Sequence, residues 1–311
     1  MRIVQKRFTK LNYHPRNGNQ LLDKYRRYQL FEIIKSIPKH LATKQSWVRL
    51  INEPMRCVLW ACGPFLYTVA QRGARDEHTA LKTTLNRLLD LIGGSGEIIP
   101  THMWPREPHL AKWKSSTEMH SLSLLLTSNG SDKALLGYAD IYQIIFAAIN
   151  AKSKQSNPII VEIGIGSRNP ALVSNMGAFG TPGASLRAFS EFAPTANIVG
   201  GDIDLATLFQ ENRIATFHVD QLRQDSLHQF LIKSGKYDLL IDDGLHELDA
   251  NLNTLTVALA HTKIGSWIVI EDISPDRSIE WLAVAKLLRD QYLCWLVKAP
   301  HSLVFVVHRE F

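Results

Sequence analysis

Val161-Glu162-Ile163-Gly164-Ile165-Gly166 is the stretch that decides the fold of this chain. Together with the apolar residues before it, the stretch predicts a buried β-strand that runs directly into a sharp turn. The two glycines permit that turn and let the backbone approach a ligand closely. The third glycine of dinucleotide-binding turns is absent, since Ser167 follows Gly166. The stretch therefore favours a strand that ends at a ligand, and it counts against a dinucleotide pyrophosphate site.

From residue 157 onward, predicted strands alternate with predicted helices. The strands are predicted at 159–163, 198–202, 214–217, 237–241, 266–271, 293–297 and 303–307, and the helices at 184–192, 225–234, 247–261 and 279–291. Such alternation builds a mostly parallel α/β sheet that binds ligands at the carboxyl ends of its strands. The last two strands are joined by a short connection, so they must pair antiparallel, because a parallel pair needs a long crossover. The pattern resembles the seven-stranded, Rossmann-like sheet of class I methyltransferases.

The residues before this alternating region differ in pattern and in charge. They read mostly as helices, with amphipathic segments at 20–37 and 80–92. Residues 1–157 hold 23 Lys and Arg against 11 Asp and Glu, whereas residues 158–311 hold 12 against 18. The basic half is either a surface for an anionic partner such as nucleic acid or a solvated face that balances the acidic half. We expect residues 1–127 to form a mainly helical, basic auxiliary region and residues 128–311 to form the α/β domain.

The cellular compartment is predicted from what the sequence lacks. It contains no apolar run near the ~20 residues needed to cross a bilayer, and its start does not read as a secretory signal. The three cysteines, Cys57, Cys62 and Cys294, have no metal-ligand spacing, and their odd number argues against a disulfide framework. We therefore expect a cytoplasmic protein with free thiols.

Polar residues stand at the ends of the first strands of the predicted sheet. Glu162 precedes the glycine turn, where the methyltransferase pattern has an acidic residue that sets the turn and the amino-acid end of the cofactor. Asp202 ends the second strand, where a carboxylate can accept both ribose hydroxyls of either NAD or S-adenosylmethionine. Asp220 and Gln221 follow the third strand and could receive an adenine ring. The predicted cofactor-binding residues are Glu162, Gly164, Gly166, Asp202, Asp220, Gln221 and Asp242.

Two acidic pairs end neighbouring strands further along the chain, Asp242-Asp243 and Glu271-Asp272, and His246 follows the first pair. Carboxylate oxygens gathered in this way suit Mg²⁺. His246 is then placed to remove a proton from a hydroxyl. Alternatively, Asp243 and Asp272 are helix N-caps and His246 is a solvated loop residue. We predict that Asp243, Asp272 and Glu271 bind a metal ion, and that His246 and Asp243 are catalytic.

These motifs resemble those of the metal-dependent sugar O-methyltransferases of macrolide biosynthesis, the mycinamicin and macrocin O-methyltransferase family. The resemblance covers roughly residues 128–273. It rests on Gly130-Ser131-Asp132-Lys133, Val161-Glu162-Ile163-Gly164-Ile165-Gly166, Gly183-Ala184-Ser185-Leu186-Arg187, the segment 199–202, Asp220-Gln221, Asp242-Asp243-Gly244-Leu245-His246 and Ile270-Glu271-Asp272.

The resemblance implies that Asp243 and Asp272 hold Mg²⁺ and that His246 is the general base. It also implies a helical N-terminal region that helps to form homo-oligomers and to cover the site. Two departures limit what can be carried over. Leu245 stands where the family usually has serine, and Ile273 follows Asp272 where the family continues with Leu-His, so substrate contacts there are not inferred.

The predicted activity is S-adenosylmethionine-dependent, Mg²⁺-dependent O-methylation of a hydroxyl on a sugar or natural-product small molecule. Three alternatives remain open: a nucleic-acid methyltransferase that uses the basic half, a hydroxylase-like relative without methyl transfer, and a non-enzymatic binding module. The nucleic-acid alternative is weakened because the basic residues are dispersed and no Asn/Asp-Pro-Pro-Tyr motif is present.

Overall fold

The computed structural model describes residues 96–111, 119–152 and 157–310. All of them belong to the same structural unit. The predicted helices at 20–37 and 80–92, together with Cys57 and Cys62, lie outside the described residues.

Nine strands of the described chain form one sheet in the order β1-β8-β9-β7-β6-β2-β3-β5-β4. The strands are β1 (Ile98–Pro100), β2 (Ile159–Ile163), β3 (Asn197–Asp202), β4 (Gln210–Glu211), β5 (Ile214–His218), β6 (Leu239–Asp242), β7 (Trp267–Ile273), β8 (Leu293–Lys298) and β9 (Leu303–His308). The helices are α1 (Pro108–Ala111), α2 (Met119–Asn129), α3 (Ala139–Lys152), α4 (Ala184–Phe192), α5 (Gln224–Ser234), α6 (Leu248–His261) and α7 (Ser278–Leu288).

The predicted fold class is confirmed. All seven predicted strands are present, and β2, β3, β5, β6 and β7 pair in parallel. The last strand, β9, runs antiparallel to both of its neighbours, β7 and β8. The two strands that the sequence did not predict, β1 and β4, are three and two residues long and lie at the edges of the sheet.

Apolar side chains of the central strands alternate between the two faces of the sheet, as the two-residue period of a strand requires. In β2, Ile160 packs into the core on one face and Val161 into the core on the other. The first core also contains the buried side of α4, and the second contains the buried sides of α5 and α6. A sheet covered on both faces explains why its central strands read as continuous apolar runs.

The segment 96–111 is part of this core. Its strand β1 pairs in parallel with β8. Trp104 is fully buried and meets Trp267 and Trp295 edge-on, with ring centroids 6.4 and 5.8 Å apart. The predicted domain boundary at residue 127 stays a prediction, although helix α2 runs across that position.

Within the residues described, no helix is both long and apolar enough to cross a membrane.

The parallel strands all point their carboxyl ends toward the same edge of the sheet. Glu162, Asp202, Asp242 and Glu271 lie in the last residues of β2, β3, β6 and β7. The topology therefore brings the predicted functional residues of four strands to one place, at the edge where α/β sheets bind ligands.

We expect Trp104→Ala to lower the free energy of unfolding by about 3–5 kcal/mol, because it empties a large buried site against two other tryptophans. Phe179→Ala is the matched control, since this aromatic side chain is 100% exposed and its loss should change stability little. Urea unfolding of the two variants gives the comparison. Equal stabilities would show that segment 96–111 adds nothing to the core.

Candidate active site

A cavity of about 610 Å³ opens at the carboxyl edge of the sheet. Its volume lies within the range of about 300–1,000 Å³ that is usual for small-molecule sites. Of the predicted site residues, those that line it are Gly164, Gly166, Asp202, Asp220, Gln221, Asp243, His246 and Asp272. Glu162, Asp242 and Glu271 do not line it, because they are completely buried next to it.

The turn after β2 has the conformation that its glycines predict. Gly164 and Gly166 have φ angles of 86° and 89°, in the left-handed region that favours glycine. A Cβ atom on Gly164 would lie 2.1 Å from the carbonyl oxygen of Asp243. Only glycine lets this turn pack directly against the loop that follows β6.

Asp202 holds the same turn from the neighbouring strand. Its Oδ2 accepts a hydrogen bond from the Ile165 amide at 3.0 Å, and its Oδ1 accepts one from the Asp204 amide at 2.9 Å. Burial raises the pKa of the Asp202 carboxyl, although these backbone donors favour its ionised form. The carboxylate therefore fixes the turn while it lines the cavity at the position predicted for a ribose.

Gln221 lines the cavity, but its amide group is used within the protein. Its Nε2 donates to Asp242 Oδ1 at 2.5 Å and to Thr254 Oγ1 at 3.0 Å. Its Oε1 accepts from the Leu245 amide at 2.9 Å. Gln221 therefore connects the loop after β5 to the loop after β6, and its part in receiving an adenine ring stays a prediction.

Asp242 is also a supporting residue. Besides Gln221, its carboxylate accepts a hydrogen bond from Asn251 Nδ2 at 3.1 Å. Burial raises the pKa of Asp242, and the donors around it oppose that shift. Because the side chain faces the protein interior, the predicted direct contact between Asp242 and a cofactor is not supported by its position.

Three titratable side chains lie together at the cavity: Asp243, His246 and Asp272. Each offers one ligand atom, and these three atoms lie within 4.8 Å of one another. His246 Nε2 is 3.8 Å from Asp243 Oδ1 and 4.0 Å from Asp272 Oδ2. The three side chains are 24%, 29% and 31% exposed, so a ligand in the cavity can reach all of them.

Backbone strain accompanies this group. His246 and Asp272 have φ angles of 60° and 51°, which non-glycine residues seldom adopt. Such strain is typical of functional sites, where the surrounding structure enforces it. The alternative that Asp243 and Asp272 are helix N-caps is wrong, because Glu247 and Arg277 occupy the N-cap positions of α6 and α7.

The carboxylates of Asp243 and Asp272 are held in the same way. Asp243 Oδ2 accepts a hydrogen bond from Lys133 Nζ at 2.5 Å, and its Oδ1 faces His246. Asp272 Oδ1 accepts from the Tyr138 hydroxyl, and its Oδ2 faces His246. One oxygen of each carboxylate is thus fixed by the protein while the other is directed to the same space. This donor set fits a hard divalent cation, which takes oxygen ligands from a few carboxylates.

Glu271 is not part of this exposed group, and its place among the metal ligands stays a prediction. Its side chain is buried and accepts hydrogen bonds from Lys133 Nζ and from the Tyr142 hydroxyl. Asp272, the next residue of β7, has a positive φ angle at an irregularity of the strand, and its side chain reaches the cavity. Glu162 is likewise buried and accepts from Ser185 Oγ at 2.7 Å.

Lys133 pairs with Asp243, Glu162 and Glu271, and the sequence predicted no role for it. It lies in a 3-10 turn at Asp132–Ala134, ahead of α3, and is buried. Burial by itself lowers the pKa of Lys133, but the carboxylates of Asp243, Glu271 and Glu162 together raise it well above its ordinary value. The available signal was its position in the Gly130-Ser131-Asp132-Lys133 motif, followed by tyrosines at the helical spacing of 138 and 142.

Curated relatives of this chain are O-methyltransferases. The chain is 37% identical over 92 residues to mycinamicin VI 2''-O-methyltransferase of Micromonospora griseorubida, in a match that covers 29% of this chain and 23% of that protein. It is 25% identical over 175 residues to 8-demethyl-8-alpha-L-rhamnosyl tetracenomycin-C 2'-O-methyltransferase of Streptomyces olivaceus, over 56% of this chain and 43% of that protein. The predicted resemblance is confirmed, and the matches span less than half the length of either relative.

Among solved structures, the chain is similar to the MycE methyltransferase from the mycinamycin biosynthetic pathway in complex with Mg and SAH. The TM-score is 0.49 at 23% identity, over 61% of this chain and 54% of that chain. No family model matches the chain.

We expect Gly164→Ala to destabilise the protein more than Gly177→Ala does. Both glycines have positive φ angles, so both substitutions carry a left-handed backbone penalty of about 1–2 kcal/mol. Only at Gly164 does the added Cβ also meet a backbone oxygen, since no atom lies within 4 Å of the Cβ position at Gly177. Unfolding in urea measures the difference, and equal losses would contradict the close packing described for Gly164.

Proposed function

We propose that this chain is an S-adenosylmethionine-dependent, Mg²⁺-dependent O-methyltransferase that acts on a hydroxyl of a glycosylated small molecule. The observation that carries the proposal is the arrangement of Asp243 and Asp272, each of which directs one carboxylate oxygen toward His246 at the cavity. The similarity to O-methyltransferases supports the same reaction class.

The cavity residues suit the proposed cofactor. Gly164 and Gly166 form a turn without side chains at the cavity, and Asp202 and Asp220 also line the cavity. S-Adenosylmethionine, when bound, supplies a methyl group that transfers to the acceptor oxygen as the carbon–sulfur bond breaks. The chain contributes the positioning, which brings the two reacting groups together in a fixed orientation.

The residues toward the acceptor have separate roles. Asp243 Oδ1 and Asp272 Oδ2 would hold the divalent cation, and Lys133 and Tyr138 keep these two carboxylates in place. Mg²⁺, when bound, lowers the pKa of a hydroxyl group next to it. His246 Nε2 accepts the hydroxyl proton as the general base.

The proposed acceptor class follows from the relatives and from the cavity wall. The names of both relatives specify a 2''- or 2'-O-methyltransferase, and the second names a rhamnosyl substrate. In this chain the exposed apolar side chains of Val173 and Leu222 flank the cavity. In the proposed arrangement, the sugar hydroxyl lies at His246 and the apolar aglycone contacts Val173 and Leu222.

Substitution of the base tests the assignment of roles. We expect His246→Ala to reduce methyl transfer by about 10²–10⁴-fold, the usual contribution of a general base. Binding of S-adenosylmethionine, measured by calorimetry, should remain nearly unchanged, because His246 acts on the acceptor. His228→Ala is the matched control, since His228 is exposed on α5 and pairs with His261 outside the cavity. Loss of cofactor affinity in His246→Ala would overturn the assignment.

Removal of divalent cations tests the metal dependence. The purified full chain is incubated with methyl-labelled S-adenosylmethionine and fractionated glycosylated metabolites, with EDTA or with excess Mg²⁺. We expect a small glycoside to become labelled. EDTA should abolish the labelling, because it removes the cation that Asp243 and Asp272 would hold, and excess Mg²⁺ should restore the labelling. Transfer that is insensitive to EDTA would overturn the role of Mg²⁺, and label in nucleic acid would replace the proposed acceptor.

A further inference from the structure

Three carboxylate oxygens converge on the ammonium group of Lys133. Lys133 Nζ lies 2.5 Å from Asp243 Oδ2 and 3.2 Å from Glu162 Oε1, and it donates to Glu271 Oε2. The lysine side chain is only 2% exposed. We call the space that this ammonium occupies, between Glu162, Glu271 and Asp243, the inner position.

Hydrogen bonds hold the carboxylates of Glu162 and Glu271 so that one oxygen of each faces the inner position. Glu162 accepts from Ser185 through Oε2, and its buried Oε1 has no hydrogen-bond donor among the described residues, only the ion pair with Lys133. Glu271 accepts from Tyr142 through Oε1 and from Lys133 through Oε2. The hydroxyl groups thus aim the remaining oxygens at a single point, as in a cage of oxygen ligands around a cation.

Asp243 belongs to both groups of carboxylates. Its Oδ2 faces Lys133, and its Oδ1 faces His246 across from Asp272. The space between Asp243 and Asp272 is the outer position, where the proposed function places Mg²⁺. The two positions therefore share one carboxylate, that of Asp243.

We propose that Lys133 is a positioning residue whose ammonium permanently occupies the inner position, so that a divalent cation binds only at the outer position. The inference rests on the proposed function, because the outer cation is part of it. Without the lysine, three carboxylates would face one another in a buried space, and carboxylates at such distances need a counter-charge. A divalent cation with its water ligands can supply that charge where oxygen ligands are already gathered.

Counting bound Mn²⁺ tests the inference without any methyl acceptor. The purified full chain is titrated with Mn²⁺, and the free ion is followed by electron paramagnetic resonance. We expect one Mn²⁺ per wild-type chain and two per Lys133→Ala chain. Lys133→Arg, which keeps the positive charge, should bind one Mn²⁺ per chain, as the wild type does. The control is Lys263→Ala, which removes a surface lysine paired with Asp238 at 2.8 Å and should leave one Mn²⁺ bound.

A purely structural lysine would give a different result, because its loss would weaken the fold without creating a second cation site. If Lys133→Ala does not fold, Lys133→Gln gives the same readout with a side chain of similar length and no charge. One Mn²⁺ or none in these uncharged variants would overturn the inference and leave the proposed function standing. Two Mn²⁺ in the wild type would also overturn only the inference, whereas none in the wild type would overturn both.

Discussion

Buried carboxylates at the ends of adjacent strands are the constraint on which this structure depends. Glu162, Asp242 and Glu271 lie at the carboxyl ends of β2, β6 and β7 and are withdrawn from water. A buried carboxylate is strongly destabilising unless donors or a cation compensate it. Here the compensation comes from residues outside these strands, Lys133 ahead of α3 and Gln221 after β5. The groups that satisfy the buried acids therefore also fix the walls of the cavity.

Much of the fold could be predicted because its strands are buried on both faces. Such strands read as short apolar runs, and the glycine turn and the short final connection then determine the topology. The helix at 184–192 has its predicted bounds. The edge strands β1 and β4 could not be predicted, since two or three residues give no periodicity and β1 forms only because β8, almost 200 residues later, pairs with it.

The candidate site was predicted less completely, because Asp243 follows the end of β6 and Asp272 lies at an irregularity of β7, where strand alternation does not apply. Sequence identifies both acidic pairs but does not state which member faces the cavity. In the structure the second member of each pair, Asp243 and Asp272, is accessible, and the first, Asp242 and Glu271, is buried. The role of Lys133 depends on a contact across 110 residues of chain with Asp243. No local pattern specifies a contact of that kind, so it required the folded structure.

The contact between Gly164 and the Asp243 carbonyl has a further consequence for how the two halves of the cavity respond to ligands. With no side chain between them, the turn after β2 packs directly against the loop after β6, and the Asp243 amide donates to the Ile163 carbonyl at 2.8 Å. A ligand that displaces one loop acts on a surface against which the other loop packs. Where a ligand at one loop alters affinity at the other, thermodynamic linkage makes the effect reciprocal and equal in factor. The glycine turn and the acidic loop are, in that sense, two walls of one cavity in direct contact.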